Sequence, residues 1–238
     1  MLALKPLRPL LLALVLLLSP LGPVACAAPK PTATVGCGSG GVPCLQGTAV
    51  VELKTSKGVV ELSLDGSAAP LTAGNFVDLV RRGTYNGTVF HRVVREPIPF
   101  VVQGGDPQSA KADTPPELLG TGSYIDAATG QPRLIPLELF LNNEASPRYG
   151  EVLAGPGQAS RLKLQHQRGA LAMARSNEPN SASSQFYIAL RALPELDGRY
   201  AVFGRVTKGM DVVDKISQGD KLISASVLQG GTLVQEAR

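Results

Sequence analysis

With two histidines, three cysteines and no tryptophan in 238 residues, this chain has few ways to break a bond. His91 and His166 are far apart, and neither belongs to a His-x-x-x-His pair or to a Cys/His cluster. Cys26, Cys37 and Cys44 all lie near the start. That spacing suits no zinc site, and none is expected. No Gly-x-Ser-x-Gly elbow follows a strand-like run, which argues against a serine hydrolase. Gly36-Cys37-Gly38-Ser39-Gly40-Gly41 meets the letters of G-x-G-x-x-G, but no strand precedes it and Val42-Pro43 stands where a helix would open. A dinucleotide site is therefore set aside.

What remains is one cation, two amides and a set of apolar and aromatic residues. Phe90-His91-Arg92 is followed by Phe100-Val101-Val102-Gln103-Gly104-Gly105-Asp106. Further on come Ala172-Met173-Ala174-Arg175, Ser184-Gln185-Phe186-Tyr187 and Leu196-Asp197-Gly198-Arg199-Tyr200-Ala201-Val202-Phe203-Gly204. A guanidinium does not deprotonate and a glutamine is neither acid nor base. Such a set suits gripping and polarising a group better than moving a proton. Taken singly, each residue has a duller reading. Arg92 would be a solvated surface cation; Phe100, Tyr187 and Leu196 would be core; Gln103 and Gln185 would satisfy strand edges. His91, without an acidic neighbour in sequence, reads as a packed histidine. Phe186, next to Tyr187 on a strand, should face the opposite way.

Taken together and in this order, these segments resemble the cyclophilin family of peptidyl-prolyl cis-trans isomerases. With an opening hairpin and helix, the resemblance covers Thr48 to Ile223, about three quarters of the chain. It implies a mainly β fold: a closed eight-stranded antiparallel barrel capped by two α-helices, with an outer groove for Xaa-Pro peptides and no cofactor. Carried over by position, Arg92 is the catalytic residue. Phe100, Val101, Tyr187 and Leu196 form the proline pocket, Gln103, Gln185 and the backbone at Ala174 and Arg175 make polar contacts, and His91 and Tyr200 line the site. Some positions depart from the family pattern. The turn Val94 to Phe100 is about two residues longer than usual, Val101 stands where Met is common, and Arg175 where Asn is common. Glu195 takes the place of the Trp of cyclosporin-sensitive members, and Tyr200 that of their His.

The residue types fit isomerisation. Amide resonance sets a rotational barrier of roughly 18–20 kcal/mol, and no bond need break to cross it. A catalyst has only to hold the twisted amide better than the planar one. As resonance is lost the proline nitrogen becomes an acceptor, to which a fixed guanidinium can donate. A binding module that recognises proline-containing segments with little turnover is the alternative, although such a groove would not require the arginine.

The elements that must position these groups can be read from periodicity. Ala49–Thr55 and Val59–Leu64 read as strands joined at Ser56-Lys57-Gly58. A helix should open at Pro70, bury Ala73, Phe76, Val77 and Val80, and stop at Gly83. Strands are expected at Val89–Val94, Phe100–Gln103, Ala170–Ala174, Gln185–Leu190 and Ala201–Val206, and a second helix at Met210–Ser217. Residues about 107–165 are rich in Gly, Pro and Ser and read as a long loop insertion. Gly 26 and Pro 19 against 5% aromatics favour short strands and turns over a bundle, and 44% hydrophobic residues suffice for a core.

Residues 1–28 read as a signal peptide, with Lys5 and Arg8, the apolar run Leu10–Leu18 and a small-residue exit, followed by a flexible linker over 29–47 and the isomerase domain over 48–238. Two exits compete. Ala25-Cys26-Ala27 suits ordinary cleavage, whereas Val24-Ala25-Cys26 resembles a lipobox that would lipidate Cys26 and tether the protein to a membrane, although Pro23 stands where Leu is usual. Export to a periplasm or envelope is expected, with a thylakoid lumen left open. There Cys37 and Cys44, six residues between them, can close a disulfide or remain two free thiols of the leader. Lying ahead of the first expected strand, the pair should not matter to the barrel. The formal charge is +4, and removing Lys5 and Arg8 leaves +2 (4 − 2), too little to suggest nucleic acid. Partners should be proline-containing polypeptide chains, bound by a monomer.

Overall fold

The computed structural model describes Cys37, residues 41–153 and residues 155–235. Residues 1–28, where a signal peptide is expected, and Cys26 among them, lie outside the described residues.

Alternation of apolar and polar residues builds the first hairpin. β1 (Cys44–Thr55) buries Ala49, Val51 and Leu53, and β2 (Gly58–Asp65) buries Val60, Leu62 and Leu64. They pair antiparallel, with Leu53 opposite Val60 and Val51 opposite Leu62, so one face of the hairpin is apolar. β3 (Arg92–Val94), β4 (Val101–Gly104), β7 (Ala170–Met173), β8 (Phe186–Ala189), β9 (Val202–Lys208) and β10 (Leu222–Val234) complete an eight-stranded sheet in the order β10-β1-β2-β9-β7-β8-β4-β3. β5 (Glu138–Leu139) and β6 (Arg148–Tyr149) pair separately.

The implied closed barrel is corrected by this topology: the ladder has two ends, β10 and β3. Between them run single contacts. Val89 bridges Lys221, Phe90 donates its N–H to the Asp220 carbonyl and accepts from Gly219, and Leu222 donates to Thr88. Phe90 thus bonds to the turn ahead of β10, which leaves β3 three residues long where six were expected. β10 itself, the longest strand at 13 residues, was not anticipated.

Three helices, not two, occur among the described residues: α1 (Pro70–Arg81), α2 (Pro156–Ala159) and α3 (Met210–Val213). α1 has the expected bounds. Pro70 occupies its first turn, and Gly83, at φ +70°, ends it by donating to Val80. No side chain of its own caps the start. Glu138 of β5 does so, its two carboxylate oxygens accepting from the Leu71 and Thr72 N–H groups at 3.0 and 2.7 Å, where the helix dipole favours an anion. Burial pushes this carboxyl up, against the hydrogen bonds from Thr72, Leu71 and Tyr149. α3 stops before Ser217 because Lys215 and Ile216 bond back by three residues, and Arg95 Nη2 caps the Val213 and Ile216 carbonyls at 3.0 and 2.8 Å.

Phe76 of α1 meets Tyr85, Phe186 and Phe203 with ring centroids 5.0–5.4 Å apart, and this aromatic knot fills the core beneath the helix. The expected linker ends earlier than Gly47. Val42, Cys44 and Leu45 are buried, and Pro43–Leu45 crosses α1 so closely that a Cβ on Gly74 would lie 2.2 Å from the Pro43 carbonyl oxygen. Cys37 and Cys44 are disulfide-bonded, which ties Cys37 to the first residue of β1. The pair is therefore attached to the core and does not precede it. The described residues of the 107–165 segment have a cluster of their own, Leu137, Leu139, Leu141, Leu153 and Leu162 against Ala201.

Candidate active site

The short strands β3, β4, β7 and β8 place the candidate residues by alternation. On β8, Phe186 points into the aromatic core while Tyr187 faces a second apolar cluster with Val101, Ala172 and Ala189. On β4, Val102 faces the core and Val101 and Gln103 face outward with Tyr187. The outward face carries a cleft of about 240 Å³ lined by Arg92, Phe100, Val101, Gln103, Ala174, Arg175, Tyr187, Leu196 and Tyr200. Nine residues nominated from the sequence thus converge, although they span more than a hundred positions.

At the rim, the Arg92 guanidinium lies over the Phe100 ring, 5.8 Å from its centroid, within cation–π range. Its Nη1 donates to Gln103 Oε1 at 3.3 Å, and Gln103 Nε2 donates to Gln185 Oε1 at 3.2 Å. Gln185 in turn donates to the Gly120 and Gly122 carbonyls at 2.9 and 2.8 Å. The cation is therefore held by a relay of amides that ends on backbone of the insertion. Gln185 lines an adjoining hollow of about 480 Å³ with Gln103, Ala174, Arg175 and residues of the 120–123 and 181–183 segments. On the far side, Arg175 stacks over Tyr200 at 4.7 Å, and its Nε and Nη2 donate to the Arg199 carbonyl. The site therefore has an arginine at either end of an apolar floor. Glu195 is exposed and ion-paired with Arg191 at 2.6 Å.

His91 does not line the cleft. It is buried beneath Gly120, where a Cβ would come within 2.9 Å of the ring, and neither ring nitrogen has a hydrogen-bond partner. Burial, assisted by Arg92, holds its pKa below the usual 6.5 against the pull of Asp106. This fits the packed histidine, not an acid or base. Sequence reasoning missed His166 and Asp197 as parts of the site. His166 Nε2 lies 2.8 Å from the Tyr187 hydroxyl and Nδ1 lies 2.7 Å from Asp197 Oδ1. No local pattern points to a pair 31 positions apart; only the motif containing Asp197 was in view.

Chemically, the arrangement can seat an apolar ring between Phe100, Tyr187 and Leu196 and present a charged donor beside it, with amides along the rim for a peptide backbone. It has no positioned nucleophile in the cleft. Comparison with known proteins agrees with this geometry. The family model described as Cyclophilin type peptidyl-prolyl cis-trans isomerase/CLD matches residues 50–233. Peptidyl-prolyl cis-trans isomerase A of Dickeya dadantii is 39% identical over 176 residues, covering 71% of this chain and 70% of that protein. A putative thylakoid lumen peptidyl-prolyl cis-trans isomerase of Synechocystis is 39% identical over 199 residues, covering 79% of this chain. The chain spans only about half, 49%, of that relative's length. Among solved structures, a cyclophilin from Hirschia baltica superposes with a TM-score of 0.54 at 26% identity, covering 78% of this chain and 76% of its own. The chain belongs to the cyclophilin-type peptidyl-prolyl cis-trans isomerase family.

Proposed function

We propose that this chain catalyses cis-trans rotation of Xaa-Pro bonds in exported polypeptides and so assists their folding. The observation that carries the reading is the cleft itself, in which a guanidinium fixed by Phe100 and Gln103 overhangs an apolar floor of Val101, Tyr187 and Leu196. The proline ring sits on that floor. Gln103, Gln185 and the backbone at Ala174 and Arg175 hold the peptide on either side, and Arg92 donates to the proline nitrogen as the amide twists out of plane. That donation exists mainly in the transition state, which is where binding accelerates a reaction.

A protease-coupled assay on an Xaa-Pro peptide tests the proposal. An isomerisation rate that rises in proportion to added protein supports it. A rate unchanged by protein that nevertheless binds the peptide would leave only a binding module. Export is supported by the composition of residues 1–28 and by the lumenal name of the Synechocystis relative. Mass spectrometry of the mature N-terminus separates the two exits: a free Ala27, Ala28 or Pro29 marks soluble export, and a diacylglyceryl Cys26 a membrane-tethered lipoprotein.

A further inference from the structure

The proline-pocket floor is held from behind by one buried residue with no place in the rotation chemistry. His166 lies just ahead of β7, its side chain fully buried. All four of its polar groups are used. Its carbonyl accepts from Leu193 N–H at 2.7 Å, its N–H donates to Asp197 Oδ1 at 2.8 Å, Nδ1 lies 2.7 Å from the same oxygen, and Nε2 lies 2.8 Å from the Tyr187 hydroxyl. With the Tyr187 hydroxyl donating to Nε2, the other ring nitrogen, Nδ1, is the one that donates to Asp197 Oδ1. Burial pushes the Tyr187 phenol well above its ordinary range, so it remains a donor.

The geometry matters because of what the partners carry. Leu193 and Asp197 bracket the 3-10 turn Pro194–Leu196, and Leu196 is one wall of the cleft. Tyr187 is another. The imidazole therefore ties both walls together through hydrogen bonds of 2.7 and 2.8 Å, and the His166 backbone adds bonds to Leu193 and Asp197. We infer that His166 is a positioning residue that fixes the separation of Tyr187 and Leu196 and thereby selects the five-membered proline ring over larger cyclic imino acids. The inference rests on the reading of this cleft as the proline site. In a packed interior, losing the ring's bond to Asp197 and leaving the Tyr187 hydroxyl without a partner would let the walls move apart.

The test compares an Ala-Pro peptide with its pipecolyl analogue, one ring methylene larger. Binding is followed by NMR titration and turnover by the isomerase assay, in unmodified protein, His166→Phe and Tyr187→Phe. A rigid pocket should disfavour the extra methylene by about tenfold or more in Kd. In His166→Phe that ratio should fall to about threefold or less, with a cooperative melt retained, and Tyr187→Phe should move it in the same direction. A folded His166→Phe with the unmodified ratio overturns the inference. If His166→Phe does not fold, Tyr187→Phe decides, and an unchanged ratio there overturns it. An unmodified protein that accepts both rings equally also overturns it. Peptide binding without turnover removes the isomerase reading but leaves the ratio to decide this one, and failure to bind either peptide removes both.

Discussion

The two halves of the sheet solve different problems. β10, β1 and β2 are long, at 13, 12 and 8 residues; β1 and β2 bury one face, and β10 buries only three positions. β4, β7 and β8 are four residues each and buried at nearly every position. The reason is that the short strands serve two clusters at once, the aromatic core behind them and the cleft floor in front. A two-residue period sends Phe186 and Tyr187 to opposite sides of one strand, so the site is built on backbone that the core already immobilises. The long strands have no such second duty and tolerate a solvated face. Substitutions should therefore separate by direction: core-facing residues of the short strands govern stability, cleft-facing ones activity, and the long-strand half stability alone.

The largest effect expected is on the core side of the short strands. Phe186 is wholly buried and meets Phe76 at 5.4 Å and Tyr85 at 5.5 Å, both edge-on. Phe186→Ala should cost about 3–5 kcal/mol of stability, read by denaturant unfolding, and should lower activity only through the folded fraction. A small loss would mean the core can collapse around the gap.

Arg92 is the opposite case. It is exposed, and its contacts are with Phe100 and Gln103 at the rim. A charged hydrogen bond is worth roughly 1.5–3 kcal/mol, so Arg92→Ala should lower kcat/KM by about tenfold to a hundredfold while leaving the melting temperature in place. Arg92→Lys should recover little, because an ammonium lacks the planar fork. A folded Arg92→Ala with near-normal turnover would remove the residue from the mechanism.

That contrast also explains what could be read from the chain. Arg92, Gln103, Tyr187 and the other cleft residues are legible together because the short motifs that hold them resemble those of the cyclophilin family in order, and the alternation within each run survives in the fold. β10 is not legible in the same way, because only Leu222, Ala225 and Gly231 of its 13 residues are buried and Gly230-Gly231 interrupts it. Its strand character comes from pairing with β1, a partner remote in sequence. Glu138 caps α1 from 67 positions away, and His166 meets Asp197 and Tyr187 from 31 and 21 positions away. The closed barrel came from the family resemblance, and the short β3, drawn to the turn ahead of β10, is what departs from it.

The leader sharpens the comparison from the long-strand side. Cys44 is 1% exposed and begins β1. Replacing both Cys37 and Cys44 by Ser removes a short closed loop and leaves a hydroxyl in an apolar setting, and a loop of this size is worth about 2 kcal/mol. The melting temperature should fall by about 4–8 °C, with kcat/KM per folded molecule unchanged. An unaltered melt would return the leader to the role of a loose tether.

The smallest effect belongs to His91, buried beneath Gly120. Its ring is buried with both nitrogens unpartnered, and burial lowers its pKa from 6.5. Below pH 6.5 the unfolded chain takes up a proton that the native protein still refuses, so the unfolded state binds more protons and stability falls as pH falls. The slope from one such group cannot exceed about 1.4 kcal/mol per pH unit, and it ends once pH drops below the folded value. Denaturant unfolding between pH 7 and pH 5 should show this decline in the unmodified protein. His91→Phe keeps a ring of similar size without the titration, and its stability should decline less over the same interval. Parallel pH profiles for the two proteins would mean that His91 gains a proton as readily when folded as when unfolded, and that the ring has found a partner such as the neighbouring Asp106.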